Sequence, residues 1–311
     1  MIWGGLVIIL LLGGIGLHGI QQQQNELQIE AQLTGIARLK ADQVIGWRNE
    51  RLMDAEVLRG NRLLANGLVR WLSGDSNPYV LVELHDYLEP ARQASGYMDF
   101  LIVDAAGRIR LNALESHPGA LDTETQNTLN ESLRTYRSMM SDIHVGAEYP
   151  TPHLSLVAPL YNNLEPAGAI ILFVDPRRQL FPILQTWPIQ TKSAESLLIR
   201  RNGTEALVFN PGGQTPAQEG SRHLQSATLD ALAAQAIRGK TGLINGQDDN
   251  GVKLIAVALP VQNSPWMLMA KVNEEEIFEN ARRETVLMGV GMLTLLALLS
   301  ALYALAWQKR Y

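Results

Sequence analysis

The chain has 311 residues, a net charge of −5 and no cysteine. No basic block interleaved with aromatics accompanies that charge, which argues against a nucleic-acid binder. The missing cysteines exclude disulfides, thiolate metal sites and cysteine nucleophiles, and the length allows about two domains besides the chain ends.

Ile2 to Ile20 is apolar apart from His18, and ~19 residues suffice to cross ~30 Å of hydrocarbon. The run lacks a basic n-region and a small-x-small cleavage site before Gln21, so residues 1–20 read as an uncleaved signal anchor. Residues 21–73 follow as a long spine helix. Ile29, Leu33, Ile36, Ala37, Val44, Trp47, Ala55 and Leu58 recur at helical spacing over polar faces. Gly35, Gly46 and Gly60 each weaken the spine by about 1 kcal/mol against alanine, so tertiary packing must hold it. Ser73-Gly-Asp-Ser-Asn-Pro78 ends it. Val80 to Ala94 reads as a second helix.

Met98 to Val103 and Arg108 to Ala113 read as a hairpin about Asp104-Ala-Ala-Gly107. A helix over 122–137, capped by Asp122 or Thr123, leads to strands at 139–145, 153–161 and 167–174. A connector with Pro176, Pro182 and Pro188 follows, and the pattern returns: hairpin strands 196–200 and 205–210, helix 227–238, strands 241–245, 252–259 and 266–272. The two copies lie about 95–101 residues apart, which is domain duplication rather than a solenoid. The expected fold is α+β, two tandem modules with antiparallel five-stranded sheets on a long N-terminal helix. The boundaries are 74–180 for a membrane-distal module, 181–192 for a connector, 193–272 for a membrane-proximal module and 273–285 for an exit helix. Residues 286–307 form a second apolar run and 308–311 a cytoplasmic start. A buried core helix is the other reading of either run. Lys309 and Arg310 favour the cytoplasm, so both termini are placed there and residues 21–285 in the periplasm or outside, with the lipid bilayer as a partner.

These segments resemble a known family. A membrane span, a long helix, two PAS-like sheets and a second span are the layout of the double Cache sensor region of bacterial histidine kinases, diguanylate cyclases and chemoreceptors. "LKADQVIGWRNERLMDAEVL" (39–58) is similar to the spine of its kinase-associated branch, "LQTWPIQTKSAESLLIRRNG" (184–203) to its inter-module link, and "SPWMLMAKVNEEEI" (264–277) to its last strand and exit helix. The resemblance implies an input region that binds a small solute in the distal module and signals through the second span. A histidine kinase is its first-choice output, a diguanylate cyclase or chemoreceptor the next. The Arg-x-Trp-Tyr segment of the amino-acid receptors is missing, and His144 and Gly146 stand where their Tyr-x-Asp pair would.

The residues themselves carry no Gly-x-Ser-x-Gly, His-Glu-x-x-His or phosphate-loop motif. A membrane-anchored periplasmic hydrolase is the alternative class. A two-residue hairpin would pair Leu101 with Arg110 and Asp99 with Asn112, placing Asp99, Arg110 and Asn112 on one sheet face. A ligand carboxylate or amine, or an internal Asp99–Arg110 ion pair, would satisfy them. Asp142, His144, Tyr149, His153 and Asp175 complete the candidate ligand set. The expected ligand is anionic or zwitterionic, with Arg110 on a carboxylate and Asp175 or Asp99 on an amine. His144 and His153 meet across adjacent strands, but no third ligand has metal-site spacing, so neither a metal nor a cofactor is assigned. A homodimer is expected through the spine, with Gln21 to Ala37 facing the partner.

Overall fold

The computed structural model describes residues 2–74, 79–113, 119–146, 149–202, 205–209, 222–224, 231–247 and 251–277, with scattered positions between 286 and 301. Side chains are described from residue 27 onward. Among the described residues no helix is long and apolar enough to cross a membrane. The side chains of the run 1–20, and most of 286–307, lie outside the described residues.

The spine is two helices rather than one. α1 (Ile2–Gly60) ends at a glycine, and α2 (Arg62–Leu72) starts afresh behind Asn61. The Asn61 carboxamide accepts the Leu64 N–H at 3.3 Å, an N-cap that competes with continuing the helix. α3 (Tyr79–Ser95) follows and carries Pro90 inside it. The buried face of α1 holds Leu33, Ala37, Ala41, Val44, Trp47, Ala55 and Leu58, together with Lys40 and Arg51. α1 packs against strands of both modules. Leu33 and Ala37 are therefore used within their own chain, which corrects the expectation that they face a partner. Among its described side chains, Leu27, Leu39, Met53 and Val57 are the large apolar ones this helix leaves exposed.

The distal sheet contains β1 (Asp99–Asp104), β2 (Ile109–Asn112), β3 (Met139–Met140), β4 (Leu154–Asn162) and β5 (Glu165–Val174), in the order β2-β1-β5-β4-β3, all antiparallel. Side chains alternate between faces. Ile102, Leu156, Ile170 and Leu172 join the spine-side core, whereas Leu101, Val103, Val157, Ile171 and Phe173 pack with Leu129 and Leu133 of α4 (Thr123–Thr135). Burial on both faces explains why these strands read as nearly continuous apolar runs. Gly168 on β5 lets that strand close up on β1, since a Cβ there would lie 2.1 Å from the Val103 carbonyl oxygen.

α5 (Leu180–Gln185) lies in the connector. The second sheet holds β6 (Glu195–Asn202), β7 (Glu205–Phe209), β8 (Arg222–Leu224), β9 (Gly242–Gln247), β10 (Lys253–Pro260) and β11 (Trp266–Asn273), with α6 (Ala231–Ile237) on one face. Its order, β8-β7-β6-β11-β10-β9, repeats the distal topology and adds one short outer strand, β8. The duplication read from the sequence is thus a duplication of topology, and the fold is α+β.

The connector is docked rather than loose. Lys40, 2% exposed, donates from Nζ to the carbonyls of Ile183 and Thr186, and Trp47 Nε1 donates to Gln179 Oε1 at 3.1 Å. At the far end the Glu276 carboxylate accepts the backbone N–H groups of Lys192 at 2.7 Å and Ser193 at 2.8 Å, and the Ser193 hydroxyl. This staples the connector to the segment leaving β11. One apolar cluster runs without interruption from Val44 and Trp47 through Ile102 and Leu172 to Leu180, Leu198, Val257 and Trp266.

Candidate functional site

The distal hairpin does not close as a two-residue turn. The Asp104 carboxylate accepts the N–H groups of Ala106 at 3.1 Å and Arg108 at 3.0 Å, and Gly107 takes φ +80°. This side-chain-capped turn pairs Val103 with Ile109, and a bulge beside it pairs Leu101 with Asn112. Arg110 is displaced by the bulge. Its guanidinium lies 3.8 Å from Asp104 and over the Trp71 ring, with the side chain 40% exposed. The expected face of Asp99, Arg110 and Asn112 therefore loses Arg110, whereas Asp99 and Asn112 keep register positions on the side of Leu101.

On that side a cleft of about 10 Å³ is lined by Leu101, Ala120, Leu121, Asp122, Gly146, Tyr149 and Phe173. That is room for roughly one water, far below the ~300–1,000 Å³ of ordinary ligand pockets, so an amino-acid-sized solute requires it to open. Tyr149 stacks on Phe173 with ring centroids 4.6 Å apart and donates its hydroxyl to Asp99 Oδ2 at 2.6 Å. Asp99 is fully buried, and its Oδ1 accepts the Phe100 N–H at 2.7 Å.

His144 and His153 face each other as an antiparallel bridge, with ring centroids 4.2 Å apart. Between them and the cleft stands Asp122, the N-cap of α4, which accepts the Thr125 N–H at 2.9 Å and the Thr125 hydroxyl at 2.7 Å. His144 Nε2 is 3.1 Å from Asp122 Oδ1 and His153 Nε2 is 3.9 Å from Oδ2. Burial pushes the Asp122 carboxyl up, but the two imidazoles and Thr125 outweigh it and hold the group far below the usual carboxylate range. Burial likewise works to lower the His144 pKa, and the Asp122 carboxylate beside it wins, leaving it raised. The sequence marks Asp122 as a helix cap alone. Its position at the start of the helix that covers this sheet face was the available signal.

Two other candidates stand elsewhere. Asp142 points away from the cleft toward the proximal module. Its Oδ1 accepts the Trp266 indole N–H at 2.7 Å and its Oδ2 is ion-paired with Arg200. Arg200 and Trp266 are register partners on β6 and β11, so one distal carboxylate holds two proximal strands. Asp175 is engaged by Arg177, through the backbone N–H and the guanidinium at 2.9 Å. It borders a separate hollow with Arg51, Gly96, Tyr97 and Arg178 between spine and sheet. The long-range partners Trp266 and Arg200 carried no local sequence signal.

No protein family and no curated protein matches the chain at the level of sequence. Solved structures do match in fold. The ligand-binding domain of the Campylobacter jejuni chemoreceptor Tlp3, in complex with 4-methylisoleucine, superposes with TM-score 0.60 at 11% identity, over 81% of this chain and 94% of that one. That of the Pseudomonas fluorescens chemoreceptor CtaA with L-serine gives 0.56 at 13%, over 80% and 99%. That of the Pseudomonas aeruginosa amino acid chemoreceptor PctB with L-Arg gives 0.55 at 15%, over 80% and 97%. The chain has the double Cache fold. The cleft lies in the first module, built on β1–β5, and Asp142 sits where that module meets the second.

Proposed function

We propose that the chain is the extracytoplasmic sensing region of a membrane receptor, anchored by the runs 1–20 and 286–307, with both termini in the cytoplasm. A small zwitterionic solute of the amino-acid class binds the distal cleft. Its apolar part lies on Leu101, Leu121 and Phe173, and its amine meets the Tyr149–Asp99 pair. The observation that carries this reading is the cleft itself: apolar walls, the Tyr149 phenol in its lining with the buried Asp99 carboxylate behind it, and a position in a fold whose solved relatives are ligand-binding domains. The displacement of Arg110 removes the side chain expected to hold a carboxylate, so the amine becomes the anchored end.

The signal has a physical route. Widening the cleft moves Tyr149 and the Ser141–His153 segment, and Asp142 in that segment grips Arg200 and Trp266. β11 then leads to Asn273 and to Glu276, which is stapled to the connector. A solute biases this path by its differential affinity for two states, ordinarily ~1–3 kcal/mol. The output is a histidine kinase first, a diguanylate cyclase or chemoreceptor next. A homodimer would use the apolar side chains the spine leaves exposed, Leu27, Leu39, Met53 and Val57. The topology is tested by reporter fusions. A periplasm-active reporter after Lys240 is expected to be active and one after Tyr311 silent; the reverse pattern overturns the two-span receptor.

A further inference from the structure

We propose that Asp122, His144 and His153 form a binding site for one divalent transition-metal ion. The three donor atoms lie within 4.8 Å of one another. In a tetrahedral site with bonds of ~2.0–2.1 Å, neighbouring donors are roughly 3.3–3.4 Å apart. His144 Nε2 is 3.1 Å from Oδ1 and His153 Nε2 is 3.9 Å from Oδ2 of Asp122, so ligation draws the three groups inward by about an ångström or less.

The hydrogen bonds behind the rings fix which nitrogen is presented. His144 Nδ1 is 2.9 Å from the Asp142 carbonyl oxygen and His153 Nδ1 is 2.9 Å from that of Thr151. A carbonyl only accepts, so each Nδ1 carries the proton and each neutral ring offers its Nε2 lone pair inward. This Nδ1–H to carbonyl support is the ordinary second shell of a metal-bound histidine. Thr125, donating to Asp122 Oδ2, orients the third ligand in the same way.

A proton on His144 would satisfy the 3.1 Å contact and nothing more. His153 is fully buried, and among the described residues its Nε2 has no hydrogen-bond partner. Its 3.9 Å separation from Asp122 is too long for a hydrogen bond. A metal ion between the three groups satisfies both rings and the carboxylate at once. Two imidazoles and one carboxylate suit Zn²⁺ and its neighbours, not Ca²⁺ or Mg²⁺, which take oxygen cages. Three protein ligands leave a position for water, the pattern of an open rather than a closed site.

The bound ion would tie the start of α4 to the strand pair that carries Asp142. The site stands whether or not a solute enters the cleft, because the ion is held by protein groups alone.

The test uses the full chain in detergent, stripped with EDTA and dialysed, and titrated calorimetrically with ZnCl₂. One Zn²⁺ per chain is expected, with no heat from MgCl₂. His144→Gln should weaken binding by more than the ~10–100-fold that loss of a supporting group costs. Asp122→Asn retains the helix-cap oxygen and should weaken it as well, while the metal-free variant still unfolds in one cooperative transition. His85→Gln on α3 serves as the control and should bind as the parent does. Absence of Zn²⁺ binding by the parent chain overturns the site. So does binding that survives both His144→Gln and Asp122→Asn, or that is lost in His85→Gln. If His144→Gln fails to fold, Asp122→Asn decides alone.

Discussion

Trp266→Ala is expected to destabilise the folded chain by about 3–5 kcal/mol, the range for emptying a large aromatic site in a core. Trp266 is among the largest fully buried side chains and belongs to the cluster that spans both modules and the spine. Its loss also removes the indole donor from Asp142 Oδ1, although that oxygen keeps the Ile143 N–H at 2.8 Å. Trp266→Phe separates the two contributions. It keeps most of the apolar volume and forfeits a single hydrogen bond to a charged group, about 1.5–3 kcal/mol. Denaturant unfolding followed by circular dichroism measures both. Equal losses in the two variants would show that the hydrogen bond, not the packing, holds the position.

Asp142→Ala carries the second large effect, about 2–4 kcal/mol, because it strands the Trp266 N–H and the Arg200 guanidinium together. Arg200 is 25% exposed on its side chain, so water offsets part of the penalty that a wholly buried pair would show. The parent chain is expected to unfold in one transition and the alanine variant in two, since the carboxylate is the polar clamp between the modules. Asp142→Asn keeps an acceptor for the indole and should cost much less. The pH dependence follows from burial, which raises the Asp142 pKa above its ordinary value against the opposing pull of Trp266 and Arg200. The folded state then binds the proton more tightly than the unfolded state. This contribution is fully present below the unfolded pKa of ~3.9 and is lost as pH rises through the folded one. The parent should therefore lose stability relative to Asp142→Asn as pH rises above about 4. An opposite trend would mean that Arg200 more than repays the burial.

Most of the architecture could be read from local pattern. The hairpin–helix–three-strand unit occurs twice and Asp122 caps its helix; most strands fall close to their expected places, but the one expected over 139–145 shrinks to Met139–Met140 and an isolated bridge at His144. The failures share one cause, a side chain that captures a neighbouring backbone group. Asn61 caps α2 and splits the spine. Asp104 holds two N–H groups, enlarges the hairpin turn and, with the adjoining bulge, moves Arg110 off the expected face. Neither departure alters hydrophobic periodicity, which is why periodicity did not show it. The candidate site was harder for a different reason. His144 and His153 were legible as cross-strand neighbours because both lie in the same strand pair. Asp122 reaches them through the packing of α4 on the sheet, and Asp142 reaches Trp266 across 124 residues. Such contacts are fixed by tertiary packing and leave no trace in sequence spacing.

The central claim, that a small solute is sensed in the distal cleft, is tested most directly by a thermal-shift screen of the full chain against L-amino acids and related amines. The screen is run on the parent and on Ala120→Trp. Ala120 is exposed at the rim of the cleft, so the indole fills the space without disturbing the core. The parent is expected to gain stability with at least one solute, by about 2.7 kcal/mol when the solute is present at ~100 times its dissociation constant. Ala120→Trp should melt as the parent does without solute and show no gain with it. A parent that responds to none of these solutes, or an Ala120→Trp variant that responds equally, would contradict the account.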